Sequence, residues 1–186
     1  KILIDGKYVP SELLNAEAFI GGDKVYQQIS AASIYAKHFR DNLMGQDFPW
    51  YWNNYVNDRS EYHEHGQFTH GFFNYENTNP WNSVYGELLE DFINSFTWKE
   101  ILRVKANLIP RTPTNIVSGY HVDQHFPHKA CILYINTNNG YTQFEHDGSK
   151  VDCVANRMLF FDGDMRHSSV TATDQNIRVV LNINYL

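Results

Sequence analysis

From Lys99 onward the apolar residues recur with a period of two, and no other feature limits the fold of this chain so strongly. Leu102, Val104, Ala106 and Leu108 share one face of a strand, while Arg103, Lys105 and Asn107 share the other. Similar short runs follow at 116–123, 130–136, 141–146, 151–154, 158–161 and 177–185, separated by turns rich in Asn, Gly and Asp. Many short strands at this spacing, after a helical first half, predict a mainly β fold with flanking α: a β-sandwich or jelly roll with helices against one face. The last run carries the most information. Ile177, Val179, Leu181, Ile183 and Tyr185 point one way, where covering helices would bury them. Arg178, Val180, Asn182 and Asn184 point the other way, into the barrel. A lone arginine there needs an anionic partner to offset its desolvation, so the alternation predicts an acid ligand inside.

The first half reads differently. Residues 11–44 look helical, with apolar side chains at helical spacing from Val25 through Ile29, Ile34 and Phe39. A second helix is predicted from Trp81 to about Phe96, with Asn79 as cap and Pro80 in the first turn. Val84, Leu88, Leu89 and Phe92 form its apolar stripe. No repeat or obvious linker interrupts the 186 residues, a length that suits one domain with a real core. The expectation is a single domain over 1–186, with 1–98 a mostly helical support and substrate-loop region and 99–186 the β core. The start at Lys1 without Met leaves a tag, a processed end or a fragment open.

Composition excludes some classes of function. A net charge of -6 gives no general attraction to nucleic acid or to an anionic membrane, although a local basic patch stays open. The apolar runs fall far short of a membrane span, and the first residues do not read as a signal peptide. Cys131 and Cys153 make no disulfide framework; each sits among strand-like residues, where a free buried thiol is the usual reading. A reducing cytoplasm fits best.

His121 and Asp123 lie two apart on an expected strand, so both side chains leave the same face. With a second histidine from a distant strand they would form a two-histidine, one-carboxylate triad, which suits Fe(II) and leaves the opposite face of the metal open. His167 is the only histidine after His146. Taken alone, His-x-Asp is weak, because chance supplies roughly half an occurrence in such a chain. The ordered set is more specific: His121-x-Asp123, a strand run, a turn, His167, and then Arg178 on an inward position. Arginine is the best match for bidentate binding of a terminal carboxylate.

Other features are weighed lower. His63, Glu64, His65 and His70 match no helical zinc spacing. With Tyr62, Phe68, Phe72 and Phe73 beside them and Gly66 and Gly71 between, they read as an aromatic-rich lid over the site or as an ordinary surface loop. His125 and His128 are expected to rim the mouth of the site, and Asp162 and Asp164 to be turn residues. The run Phe48, Trp50, Tyr51, Trp52 reads more as packing than as a substrate platform.

The stretches VKANLIPRT, GYHVDQH, ACILYINTNNGYTQFEHDG, NRMLFFDGDMRHS and IRVVLNINYL resemble the Fe(II)/2-oxoglutarate-dependent dioxygenase superfamily. The resemblance is to its prolyl-hydroxylase-like branch and to the small stand-alone members of phages and marine microbes. It spans Ile101 to Leu186, and residues 1–100 match only loosely. It implies a double-stranded β-helix, with His121, Asp123 and His167 as iron ligands and Arg178 on the distal carboxylate of 2-oxoglutarate. Tyr134 resembles the strand tyrosine that adds a hydrogen bond to that carboxylate. Thr142 is a weaker candidate for the same pocket, and Asn107 is placed opposite the iron. The implied activity consumes 2-oxoglutarate and O2 to hydroxylate a C–H bond, with peptidyl proline as leading substrate.

Two positions depart from the pattern. Ile109 stands before Pro110 where the hypoxia-type prolyl hydroxylases often have tyrosine. Asn184 stands where the nucleic-acid dealkylating members carry a second arginine, which counts against base repair. Two rivals stay open: a jelly-roll metal-binding protein without oxygenase activity, and an oxygenase acting on a small molecule or on nucleic acid.

Overall fold

A computed structural model describes residues 2–5, 16–19, 24, 37–45, 47–54, 66–94, 96 and 98–186. The chain divides into two compact units, Lys1–Phe48 and Pro49–Leu186. In the first, strands β1 (Ile2–Asp5) and β2 (Ala16–Phe19) pair in parallel, with Ile2 opposite Ala16. A helix, α1 (37–43), follows and buries Phe39 and Leu43, four residues apart on one face. The helical reading of 11–44 therefore holds for α1 and fails at β2. Val25, Ile29 and Ile34 lie outside the described residues.

The second unit is a double-stranded β-helix, a jelly roll of two sheets. The larger sheet has six strands: β3 (Tyr51–Asn53), β4 (Gln67–Asn74), β5 (Ile101–Pro110), β6 (Lys129–Tyr134), β9 (Met158–Asp162) and β11 (Ile177–Tyr185). Their order across it is β3-β4-β5-β11-β6-β9. The smaller sheet runs β10-β7-β8, from β7 (Tyr141–Phe144), β8 (Lys150–Asp152) and β10 (His167–Val170).

Central β11 pairs with both β5 and β6, and both of its faces are covered. Val179, Leu181 and Ile183 are fully buried on one side, Arg178 and Asn184 on the other, as the alternation requires. Register carries the inward face to the neighbours: Val180 lies opposite Asn107 and Tyr134, and Asn182 opposite Lys105 and Ile132.

Several elements differ from expectation. The run 116–123 is not a continuous strand; its pairing with β10 consists of isolated bridges at Val117–Val170 and His121–His167. Residues 67–74, read as loop, form β4, where Phe68 and Phe72 fall on one face and Gln67 and Thr69 on the other. The second helix is shorter than predicted. Pro80 and Trp81 are taken up by a turn, with Asn74 N–H donating to the Pro80 carbonyl at 2.9 Å and Trp81 bridging Phe73. Ser83, not Asn79, caps the start, accepting from Tyr85 N–H, and α2 (Glu87–Asn94) follows a 3-10 turn. Leu89 and Ile93 are buried, whereas Val84 is 88% exposed and lies outside the stripe. Trp98 ties the end of α2 to the sheet, donating to the Ile93 carbonyl at 2.8 Å and packing edge-on against Tyr185.

Candidate metal centre and acid pocket

One antiparallel bridge brings the two distant histidines together. His121 N–H donates to the His167 carbonyl and His167 N–H to the His121 carbonyl, both at 3.0 Å. Residues paired in this way project to the same side, and the two rings lie 4.8 Å apart. Each Nδ1 faces a backbone carbonyl two residues earlier, Gly119 for His121 at 3.2 Å and Met165 for His167 at 3.1 Å. A carbonyl only accepts, so Nδ1 carries the proton and Nε2 of a neutral ring keeps its lone pair for a metal. Asp123 completes the group, and the ligand atoms of the three residues lie within 4.8 Å of one another.

The electrostatics suit a cation. Burial lowers the His121 imidazole to about 4, helped by His167 and opposed by Asp123, so this ring is neutral at pH 7. For Asp123, burial alone would favour the protonated form. The Arg103 guanidinium, His167, His121 and the Asn184 amide together outweigh it and hold the carboxyl far below its usual range. Two imidazoles and one carboxylate are a donor set for Fe(II) and similar divalent metals.

The same cavity runs inward from the triad to Arg178. Its walls come from both sheets: Lys105, Asn107 and Ile109 of β5 and Val180 and Asn182 of β11 on one side, Thr142 and Ser169 on the other. Arg178 is 1% exposed. Its NH1 donates to Ser169 Oγ at 2.8 Å and its NH2 reaches Thr142 Oγ1 at 3.4 Å, while Nε has no partner. No carboxylate among the described residues pairs with it. Tyr134 OH donates to Thr142 Oγ1 at 2.8 Å, and the Tyr134 ring lies 5.8 Å from the guanidinium carbon. Burial raises the Tyr134 phenol against the lowering by Thr142 and Arg178, so it stays a donor. Asn107, 6% exposed, lines the cavity with its Oδ1 unpartnered. Ile109, opposite Arg178 in the register, adds an apolar side chain to that wall. Gly140 makes room for the arginine stem: a Cβ there would lie 2.8 Å from Arg178 Cδ.

Thus His121, Asp123, His167, Arg178, Tyr134, Thr142 and Asn107 converge on one interior. Ser169, Gly140, Arg103 and Asn184 were not singled out for these roles. The alternation of β11 did mark Asn184 as inward, and that of β5 set Arg103 on one face with Lys105 and Asn107. Ser169 sits in β10, too short and polar to read as a strand.

Other expectations fare differently. His70 is no lid residue: it is 5% exposed within β4, with Nδ1 2.7 Å from the Pro49 carbonyl and Nε2 2.7 Å from Ser83 Oγ. Tyr62, His63, Glu64 and His65 lie outside the described residues. His125 and His128 do not rim the triad's cavity; they line a separate groove with Lys99, Lys129 and Asp162. His128 is buried there, its ring against Gly163. Asp162 accepts in a turn from Met165 N–H, as expected of a turn residue. In the aromatic run Phe48 is packed, whereas Tyr51 and Trp52 are 65% and 53% exposed. Cys131 and Cys153 are free and buried, and burial pushes the Cys131 thiol up to about 12. No helix of the described residues is long and apolar enough to cross a membrane.

No family model matches the chain. Among solved structures it is similar to a prolyl hydroxylase of Trichoplax adhaerens, in complex with a hypoxia inducible factor oxygen degradation domain peptide fragment. That likeness has a TM-score of 0.55 and 13% identity over 84% of this chain and 78% of the other. A 2OG-Fe(II) oxygenase family oxidoreductase of Burkholderia pseudomallei gives 0.55 and 14%, over 86% and 78%. At these identities the likeness is one of fold. In sequence, short stretches match ribonuclease HII: 46% identity over 52 residues with that of Sphingopyxis alaskensis, and 51% over 43 with that of Francisella philomiragia. The chain spans about a quarter of the length of these curated relatives, 26% and 23%.

Proposed function

We propose that the protein is an Fe(II)- and 2-oxoglutarate-dependent oxygenase that hydroxylates a C–H bond. One observation carries the reading: a buried arginine without a carboxylate partner among the described residues stands in the same cavity as a convergent His-Asp-His set. The first needs a dianion's distal carboxylate, and the second needs a divalent metal. 2-Oxoglutarate, with a carboxylate at one end and a keto acid at the other, answers to both. The fold it shares with the two oxygenases supports the same conclusion.

In this reading His121, Asp123 and His167 hold the iron, and Arg178, Thr142, Ser169 and Tyr134 hold the distal carboxylate. The iron, when bound, supplies the activation of O2 coupled to decarboxylation of the co-substrate. The chain's own residues do the positioning. Arg178 and the Tyr134 hydroxyl fix one end of the co-substrate, and the backbone-anchored imidazoles present Nε2 lone pairs. Ile109, Ile132 and Val180 supply the apolar part of a mostly polar lining.

Peptidyl proline is the leading substrate, supported by the peptide in the Trichoplax adhaerens complex. A small molecule is the next choice, and nucleic acid is disfavoured by the net charge of -6. The ribonuclease likeness does not change this choice: among the described residues the one group of three metal-binding side chains is the His-Asp-His set. The two free thiols support a reducing cytoplasm. The test is aerobic incubation with Fe(II), 2-oxoglutarate and a panel of peptides and metabolites, scored by mass spectrometry. Succinate formation that depends on both, with a product heavier by one oxygen, supports the proposal. Metal binding without any 2-oxoglutarate turnover would favour a jelly-roll metal-binding protein instead.

A further inference from the structure

Asp123 belongs to no strand, so its carboxylate is aimed by contacts and not by a ladder. Those contacts form a closed ring. Arg103 NH2 donates to Asp123 Oδ1 at 2.8 Å, and Asn184 Nδ2 donates to Asp123 Oδ2 at 2.9 Å. Arg103 Nε then donates to Asn184 Oδ1 at 3.1 Å, which uses both atoms of the amide and fixes its orientation. Arg103 and Asn184 are direct partners in the β5–β11 register, side by side on the inward face. Asn184 is fully buried, and the Asp123 side chain is 7% exposed.

We infer that Arg103 and Asn184 are positioning residues that hold Asp123 as a one-oxygen metal ligand. The inference rests on the metal site proposed above. A donor on each oxygen, one of them charge-assisted, fixes the plane and rotation of the carboxylate, so a turn that brought both oxygens to a metal would strain both hydrogen bonds. One-oxygen binding keeps further metal positions open for other ligands. The arginine fork matters as much as its charge, because two N–H groups reach two different acceptors at once. A lysine ammonium is a single point charge on a flexible stem and does not reproduce the fork.

The test uses the full chain and Co(II) as probe, under anaerobic conditions. Affinity is read by competition with a fluorescent chelator and coordination by the visible absorption bands. Thermal midpoints of the metal-free proteins report folding. Arg103→Lys and Asn184→Leu should each weaken Co(II) binding about 10–100-fold and alter the bands, the range typical of lost ligand partners. The double variant should be little worse than the poorer single one, because both act through one ring. Should Asn184→Leu fail to fold, Arg103→Lys and Arg103→Gln carry the same comparison. Wild-type affinity and bands in folded Arg103→Lys would overturn the positioning role. Asp123→Ala separates the two levels. If it loses Co(II) while the other variants bind normally, the metal site stands and the positioning fails. If Asp123→Ala itself binds as wild type, the metal site fails.

Discussion

Replacing Arg178 by methionine should affect binding and stability with different signs. The guanidinium is 1% exposed, makes one good hydrogen bond (to Ser169 at 2.8 Å) and one long one (to Thr142 at 3.4 Å), and leaves Nε unpartnered. Hydrogen bonds to a charged group contribute about 1.5–3 kcal/mol each, and only one here has good geometry. Burying the ion costs several kcal/mol, and replacement of buried ions by apolar groups of similar volume is often neutral or stabilising. Arg178→Met without ligand should therefore lie between no change and a gain of about 2 kcal/mol. For a chain of this size that is roughly 0 to +8 °C in thermal midpoint. Removing one partner of a buried charge pair costs about 3–5 kcal/mol, so 2-oxoglutarate should bind roughly two to three and a half orders of magnitude more weakly. Differential scanning fluorimetry with metal, over a 2-oxoglutarate titration, reads both quantities in one experiment. Wild type should gain stability with ligand, by about 2.7 kcal/mol at one hundred times Kd, and the variant should gain almost nothing over the same range. An undiminished ligand-induced shift would refute the carboxylate role. A loss above about 3 kcal/mol without ligand would show Arg178 to be structural instead.

Four further outcomes follow from the same geometry. His167→Ala should lower metal content toward zero and abolish turnover, because the triad has no spare donor; full iron occupancy measured by plasma mass spectrometry would contradict the assignment. Tyr134→Phe deletes the hydroxyl that donates to Thr142 at 2.8 Å, so the 2-oxoglutarate requirement should rise about fivefold, equivalent to about 1 kcal/mol, with metal affinity unchanged in the same titrations. Gly140→Ala sets a Cβ 2.7 Å from the Val170 carbonyl and 2.8 Å from Arg178 Cδ, and should cost about 1–3 kcal/mol of stability by chemical denaturation while weakening 2-oxoglutarate binding. A shortened chain of residues 49–186 should bind Co(II) as the full chain does, since the site residues and the hydrogen-bond partners named above lie in the second unit; a tenfold loss by chelator competition would contradict this.

The inward side chains of β5, β6 and β11 were legible in the sequence, because the face a residue takes on a strand depends only on local backbone geometry and a period of two. That local rule was enough to place Arg178, Asn182 and Asn184 on one side and Val179, Leu181 and Ile183 on the other, and so to lead to the expectation of an acid ligand inside. It also put Arg103, Lys105 and Asn107 together on one face of β5, without saying that this face is the inward one or what each would meet there. His121 and Asp123 were recognisable as a pair, and the order of His167 and Arg178 behind them marked the site.

What joins these residues was decided by the tertiary structure. The bridge between His121 and His167 spans a separation that no periodicity reaches, and the hydrogen bond from Arg103 to Asn184 spans 81 positions. Strand β4 escaped notice because its Gly and His residues blur the alternation, and only pairing with β5 makes it a strand. His70 shows the same dependence. In the sequence it stands among histidines and aromatics that resemble a lid, yet the face it takes on β4 sets it against Ser83 and the Pro49 carbonyl. A side chain's direction is a property of its own few bonds, whereas its neighbour across a sheet is set by how the whole chain returns upon itself.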